Sequence, residues 1–174
     1  MDFYEVIKTR RSVRSFSDRP IPDEALRRVL DAARIAPSGS NRQPWRFIVV
    51  RDRELKKRLV PLCHDQRFVA EAPVLIAACG RDIEYDRGDW MGEYAVIVDV
   101  TIAMDHLILA ARAEGLGTCW IGSFSDQQVK AALGLPEGWH VVALTPVGYP
   151  DGEVFVETTD RKPLEEIVCE DLWC

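Results

Sequence analysis

Histidine is scarce, with 3 in 174 residues, and none of the 5 cysteines is spaced Cys-x-x-Cys. The odd number disfavours a disulfide framework, and the spacing denies zinc or an iron–sulfur cluster its usual ligand pairs. Cys63, Cys79, Cys119, Cys169 and Cys174 therefore read as buried or idle thiols. The chain also lacks Gly-x-x-x-x-Gly-Lys-Ser/Thr, Gly-x-Ser-x-Gly and His-Glu-x-x-His, which removes the phosphate-loop, hydrolase-elbow and zincin chemistries. Its first residues, Met-Asp-Phe-Tyr-Glu, have neither the basic nor the apolar region of a secretory signal, so a cytoplasmic location is expected. The longest apolar stretch, residues 94–113, is interrupted by Asp99, Asp105, His106 and Arg112. Spanning a bilayer would bury those charges, and no transmembrane helix or membrane partner is expected. Cations are outnumbered 22 to 28, a net charge of −6 that argues against nucleic-acid binding.

What is present is an ordinary globular composition, 47% hydrophobic and 29% charged, of a length suited to one domain. Its cations are unevenly placed. Lys8, Arg10, Arg11, Arg14 and Arg19 crowd the N-terminal segment, opposed there by Asp18 alone. From Asp151 onward the acids Asp151, Glu153, Glu157, Asp160, Glu165, Glu166, Glu170 and Asp171 surround one cation pair, Arg161 and Lys162. Two small basic islands in an acidic chain point to one compact anion site.

Hydrophobic periodicity and turn residues give the order of elements. Asp2 and Glu5 suggest a capping box for a helix over 3–9, and a second helix starts after Pro22 and stops by Pro37. Buried strands are expected over 47–50 and 74–79, with a helix over 54–60 and a short helical turn near Phe68 between them. Residues 80–92 read as a mobile loop holding Tyr85, Asp86, Arg87, Asp89, Trp90 and Met91, which either stacks on an aromatic substrate or covers the core. A long, almost wholly apolar helix over 93–114 should be central. A strand over 118–121, a helix capped by Ser125 with Gln128 and ended by Gly134, and a strand over 139–147 complete the order, with Pro146 pointing to a sheet edge. No repeat or linker is evident.

Three stretches carry more chemistry than packing requires. Arg-Arg-Ser-Val-Arg-Ser-Phe at 10–16 sets three guanidinium forks and a hydroxyl beside a helix end, a phosphate-binding set or a solvated basic turn. Ala-Pro-Ser-Gly-Ser-Asn-Arg-Gln-Pro-Trp at 36–45 offers backbone amides with the side-chain amides of Asn41 and Gln43, which can read a heterocycle edge or merely close a helix. Gly-Leu-Gly-Thr-Cys-Trp-Ile-Gly at 115–122 imitates a dinucleotide fingerprint but follows a helix and opens a strand, the reverse of the required context.

In this order, and with Arg-Lys-Pro-Leu-Glu-Glu-Ile-Val at 161–168, these stretches make the chain resemble the nitroreductase superfamily over nearly its whole length. The resemblance implies an α+β fold, a central mostly antiparallel sheet flanked by helices, with residues 1–174 as a single FMN-binding domain in an intertwined homodimer. It further implies that Arg10 and Ser12 meet the flavin phosphate and ribityl chain, helped by Arg161, with Arg11 in the same cradle and Lys162 a weaker candidate. Arg14 matches a cationic position at the flavin N1/C2 edge, where a fixed charge stabilises the reduced ring. Pro37, Ser38, Gly39 and Asn41 would come from the second subunit, and Ile121 with Gly122 would line the ring near N5. Cys119 and Trp120 are assigned to packing and His64, His106 and His140 to structure.

The implied activity is an NAD(P)H-dependent FMN oxidoreductase, passing electrons by a ping-pong route to a small acceptor such as a nitroaromatic or quinone, with no catalytic side chain and no metal. A non-catalytic flavin-binding or flavin-delivering protein, and a family member specialised for dehalogenation, flavin fragmentation or dehydrogenation, are the other readings of the same cradle. The choice between NADH and NADPH is open at this stage.

Overall fold

A computed structural model describes residues 1–85 and 89–173, without the side chain of Asp89. Helix α1 (Phe3–Thr9) starts where Asp2 accepts the Tyr4 N–H at 2.8 Å. Helix α2 (Asp23–Arg34) places Ala25, Leu26, Val29 and Ala33 on one buried face, as the sequence periodicity requires. Strand β1 (Trp45–Val50) leads to α3 (Arg53–Leu59), whose first turn is capped by Asp52 accepting the Leu55 N–H at 2.6 Å. After α4 (Phe68–Glu71) come β2 (Val74–Arg81), α5 (Asp89–Ala113), β3 (Gly117–Thr118), α6 (Asp126–Leu133) and β4 (Trp139–Gly148).

The four strands form one antiparallel sheet in the order β1-β2-β4-β3, with Trp45 opposite Gly80 and Val74 opposite Val147. Helices α2 and α5 cover one face, packing Leu26, Val29, Met104 and Leu107 on Ile76, Ala78, Ala143 and Val147. On the other face, Leu59 of α3 and Val129 of α6 pack against Leu75, Ala77, Val141 and Leu144. Burial on both sides explains why β2 reads as an unbroken apolar run instead of an alternating one. Helix α5 crosses so close that a Cβ on Gly80 would lie 2.6 Å from Val96 Cγ1. By length and composition α5 is the one described helix able to cross a membrane, yet Val100, Ala103, Met104, Leu107 and Ala111 are fully buried in this core.

Several expectations change in detail. Pro146 lies in β4, which is central, not at an edge. It is tolerated because β3 is only two residues long and pairs with Val147 and Gly148, and the next N–H, of Cys119, turns to Thr145 Oγ1 at 3.2 Å. For the same reason the strand expected over 118–121 shrinks to β3 plus an isolated bridge between Ile121 and Leu144. Ser125 precedes α6 without a side-chain cap; its own N–H donates to Leu62 O instead. The expected mobile loop over 80–92 shortens because β2 runs to Arg81 and α5 starts at Asp89; Asp86 and Arg87 lie outside the described residues. Cys63, Cys79 and Cys119 are buried free thiols as expected, and burial pushes Cys63 and Cys79 up to about 11. Cys169, expected to be a buried or idle thiol, is disulfide-bonded.

Candidate functional site

Two of the three singled-out stretches meet directly. Arg10 leaves α1 in an extended conformation, and the chain then runs parallel to β3: Ser12 bridges Thr118, and the Val13 N–H donates to Thr118 O at 2.8 Å. Val13 packs under Gly117, where a Cβ would lie 2.7 Å away, so glycine permits this approach. Alternation along an extended segment then sends Val13 into the core while Ser12 and Arg14 stay exposed. Ser12 and Arg14 both act on Cys119: burial raises that thiol first, and the Arg14 charge and a bond from Ser12 pull it back down.

The three arginines of the segment are not equivalent. Arg11 is fully engaged by backbone: Nη1 donates to Lys8 O at 3.1 Å and Arg10 O at 2.7 Å, and Nη2 donates to Val156 O. With the Thr158 N–H donating to Lys8 O at 3.4 Å, it ties the C-terminal segment to the end of α1. Arg161 therefore follows three residues after a point anchored at the end of α1. Among the described residues its Nη1 donates only to the neighbouring Asp160 O, at 2.5 Å. Among the described residues neither the guanidinium of the half-buried Arg10 nor that of the exposed Arg14 has a hydrogen-bond or ion-pair partner, and Lys162 is exposed. Unpaired guanidinium groups beside a hydroxyl form a donor set that fits a phosphate and an anionic ring edge.

Farther along, the Ile121 N–H is consumed by Leu144 O at 2.9 Å and its side chain is buried in the core. The next residue, Gly122, is exposed, and among the described residues its N–H has no partner, so it is a donor left available on this edge. Trp120, assigned to packing, is instead 40% exposed; a Cβ on Gly122 would lie 3.4 Å from its Nε1.

The loop from Pro37 to Gln43 sits elsewhere. Gly39–Asn41 form a short 3-10 turn with Ser40, Asn41 and Gln43 at positive φ (51°, 56° and 49°). Gln43 braces it: its N–H donates to Ser38 Oγ at 2.9 Å and its Nε2 to Asn41 O and Oδ1, both at 3.1 Å. Gln43 is thus a strut and not a free reader of a heterocycle. The Gly39 N–H donates to Asp99 Oδ1 at 3.0 Å on α5, whereas Thr9 is reached by Arg112 Nε at 3.0 Å from the far end of the same helix. At 1.5 Å per residue, the two anchors lie roughly 20 Å apart along α5. One chain therefore holds the 37–43 loop near the middle of α5 and the 10–14 segment near its C-terminal end, on one rigid rod. Pro37 is exposed at the loop's start.

In the sequence Asp99 and Arg112, both 5% exposed, read only as charges that interrupt an apolar run. Their signal was available: a charge inside the most apolar helix must be satisfied by something specific. Arg112 also stacks over the Phe155 ring at 4.0 Å, so it fixes both the end of α1 and the C-terminal segment.

A model of the nitroreductase family matches residues 7–97 and 64–149. A candidate NADH dehydrogenase/NAD(P)H nitroreductase of Archaeoglobus fulgidus is 37% identical, over 90% of this chain and 91% of that protein. The NADPH:FMN oxidoreductase of Vibrio harveyi, solved with NAD+, is 29% identical with a TM-score of 0.89, over 99% of this chain and 78% of that one. Human iodotyrosine deiodinase 1 is 28% identical, over 96% of this chain and 68% of that protein.

Proposed function

The chain belongs to the nitroreductase family, and from that premise we propose that it is an FMN oxidoreductase that takes electrons from NADH or NADPH and passes them to a small acceptor. The observation that carries this reading is the contrast within one segment: the Arg11 guanidinium is spent on backbone carbonyls while those of Arg10 and Arg14, on either side of Ser12 in the sequence, have no partner among the described residues. FMN bound there supplies a two-electron carrier between a nicotinamide and an organic acceptor. Arg10, Ser12 and Arg161 hold its phosphate and ribityl chain; Arg14 supplies positive charge at the ring edge that becomes electron-rich. The free Gly122 N–H donates toward the reacting edge. No side chain is required as nucleophile or base.

The site takes its second wall from another copy of the chain. Antiparallel pairing of two α5 helices about a two-fold axis would bring Asp99 of one against Arg112 of the other. Pro37, Ser38, Gly39 and Asn41 of one subunit then face Arg10 and Ser12 of its partner. Exposed apolar side chains lie where such a dimer needs them, on α1 (Phe3, Tyr4, Ile7), α5 (Tyr94, Ile97, Val98) and the C-terminal segment (Leu164, Ile167, Val168, Leu172). Ping-pong kinetics would follow if donor and acceptor use one site in turn.

The test is to purify the protein, release its chromophore by heat, and add NADH or NADPH anaerobically before an acceptor screen. Noncovalent FMN, bleached by a nicotinamide and reoxidised by a quinone or nitroaromatic, is expected. FAD, or no flavin after reconstitution with excess FMN, overturns the reading. The relationship to iodotyrosine deiodinase adds one acceptor to the screen, iodotyrosine, whose turnover in preference to quinones would redirect the proposal to dehalogenation.

A further inference from the structure

Asp99 is a buried carboxylate without an ion-pair partner among the described residues. Its two oxygens are each taken by a neutral donor from a different segment: Oδ1 by the Gly39 N–H at 3.0 Å, Oδ2 by the Tyr85 hydroxyl at 2.5 Å. The Tyr85 ring lies so close over Gly39 that a Cβ there would come within 2.8 Å of Tyr85 Cε1. Arg42 closes the arrangement, donating to Glu84 O at 2.9 Å and standing 5.1 Å from the centre of the Tyr85 ring. Residues 82–84, which this arrangement holds, form one wall of a cavity of about 680 Å³ whose other walls include Val96, Ile97 and His140.

A buried carboxylate is costly to desolvate unless each oxygen is bonded, so breaking either bond strands the charge. The two segments are thereby made to keep or lose their positions together. We propose that Asp99 is a positioning residue that locks the Ser38–Asn41 loop to the 82–85 segment, so that flavin binding at the loop is linked to the conformation of the cavity wall. The inference rests on the flavin reading above for its ligand, but the lock itself belongs to the chain without flavin. Tyr85 reaches the loop through Asp99, the Gly39 contact and the Arg42 guanidinium near its ring, and it has no assigned place at the flavin.

Wild type, Tyr85→Phe, Asp99→Asn and the double variant would be titrated as apo-protein with FMN by fluorescence, and Gly39 amide exchange measured by NMR before flavin is added. Tyr85→Phe is expected to weaken FMN about fivefold and speed exchange at Gly39, as loss of one bond to a buried charge does. Asp99→Asn should weaken FMN by roughly tenfold or more, and adding Tyr85→Phe to it should change little, because both remove the same lock. Unchanged FMN affinity in Tyr85→Phe, or an effect undiminished in the Asp99→Asn background, overturns the proposal. Should Asp99→Asn not fold, Gly39 exchange in Tyr85→Phe decides alone: faster supports the lock and unchanged refutes it. A wild-type protein that takes no FMN defeats the flavin reading and leaves the exchange result to judge the lock.

Discussion

The two halves of the proposed site are fixed in opposite ways. Segment 10–14 is held by its backbone, through the Ser12–Thr118 bridge and the Val13 N–H, which leaves the side chains of Arg10 and Arg14 unspent. Loop 38–43 is held largely by side chains, Gln43 from within and Asp99 from α5. Anchoring by backbone frees charged forks for a ligand, whereas anchoring by side chains sets the path of a loop whose own polar groups are already largely paired. The first half should therefore govern affinity through charge, and the second through position.

The largest expected effect follows from the first half. Arg10→Ala should weaken FMN retention by about 1.5–3 kcal/mol, the usual loss for a charge-assisted bond, with little change in melting temperature because Arg10 has no partner to strand. Fluorescence titration beside thermal unfolding separates the two quantities. Equal flavin affinity in the variant would remove charge as the organising feature of this half.

The second half should respond in stability first. Gly39→Ala forces a methyl against the Tyr85 ring at 2.8 Å, and overpacking of this kind typically costs about 1–3 kcal/mol. Tyr85→Ala removes that ring and also a bond to Asp99, so it should cost less stability in the Gly39→Ala background than in wild type. If it costs the same in both backgrounds, the ring is not what constrains the glycine.

How much of this was readable in advance divides along the same line. Helices α1 and α2 and strands β1 and β2 follow from local periodicity and caps, such as Asp2 on Tyr4, and the fold class with them. The basic segment was legible as charge, but the division of labour among Arg10, Arg11 and Arg14 was not, because it depends on the carbonyl of Val156, far away in the chain. Pro146 misled for a related reason: the shortness of β3 is set by Cys119 turning to Thr145, a tertiary contact no local pattern records. Asp99 was visible as a charge in an apolar helix, and only the fold says that Gly39 and Tyr85 are what satisfy it.

A smaller effect tests that division of labour. Arg11→Ala should leave FMN affinity nearly unchanged and loosen the C-terminal segment, since its guanidinium joins Lys8, Arg10 and Val156 carbonyls. Loss of about 1 kcal/mol is the scale for such bonds at a partly exposed site. Limited proteolysis after residue 150 should speed up in this variant and not in Arg14→Ala. The reverse pattern would exchange the roles assigned to the two arginines.

The smallest effect is confined to alkaline pH and belongs to the second half. Burial first, then the bond to Asp99 and that residue's charge, push the Tyr85 phenol up to about 12, with Arg42 acting weakly the other way. In the unfolded chain a tyrosine ionises near 10. Below that pH both states keep the proton and the Tyr85 contribution is complete. Between pH 10 and 12 the unfolded chain gives up a proton that the folded chain retains, so the folded state binds more protons and stability must fall as pH rises. Cys63 and Cys79, held up at about 11 by burial, produce a decline of the same sign that begins nearer pH 9. Comparing wild type with Tyr85→Phe cancels the cysteine background. The difference in unfolding free energy between the two should be flat up to about pH 10 and then shrink toward pH 12, because only wild type has this proton to lose. A difference that stays constant across that interval would mean the phenol is not held by Asp99, and the coupling of loop to cavity wall would lose its physical basis.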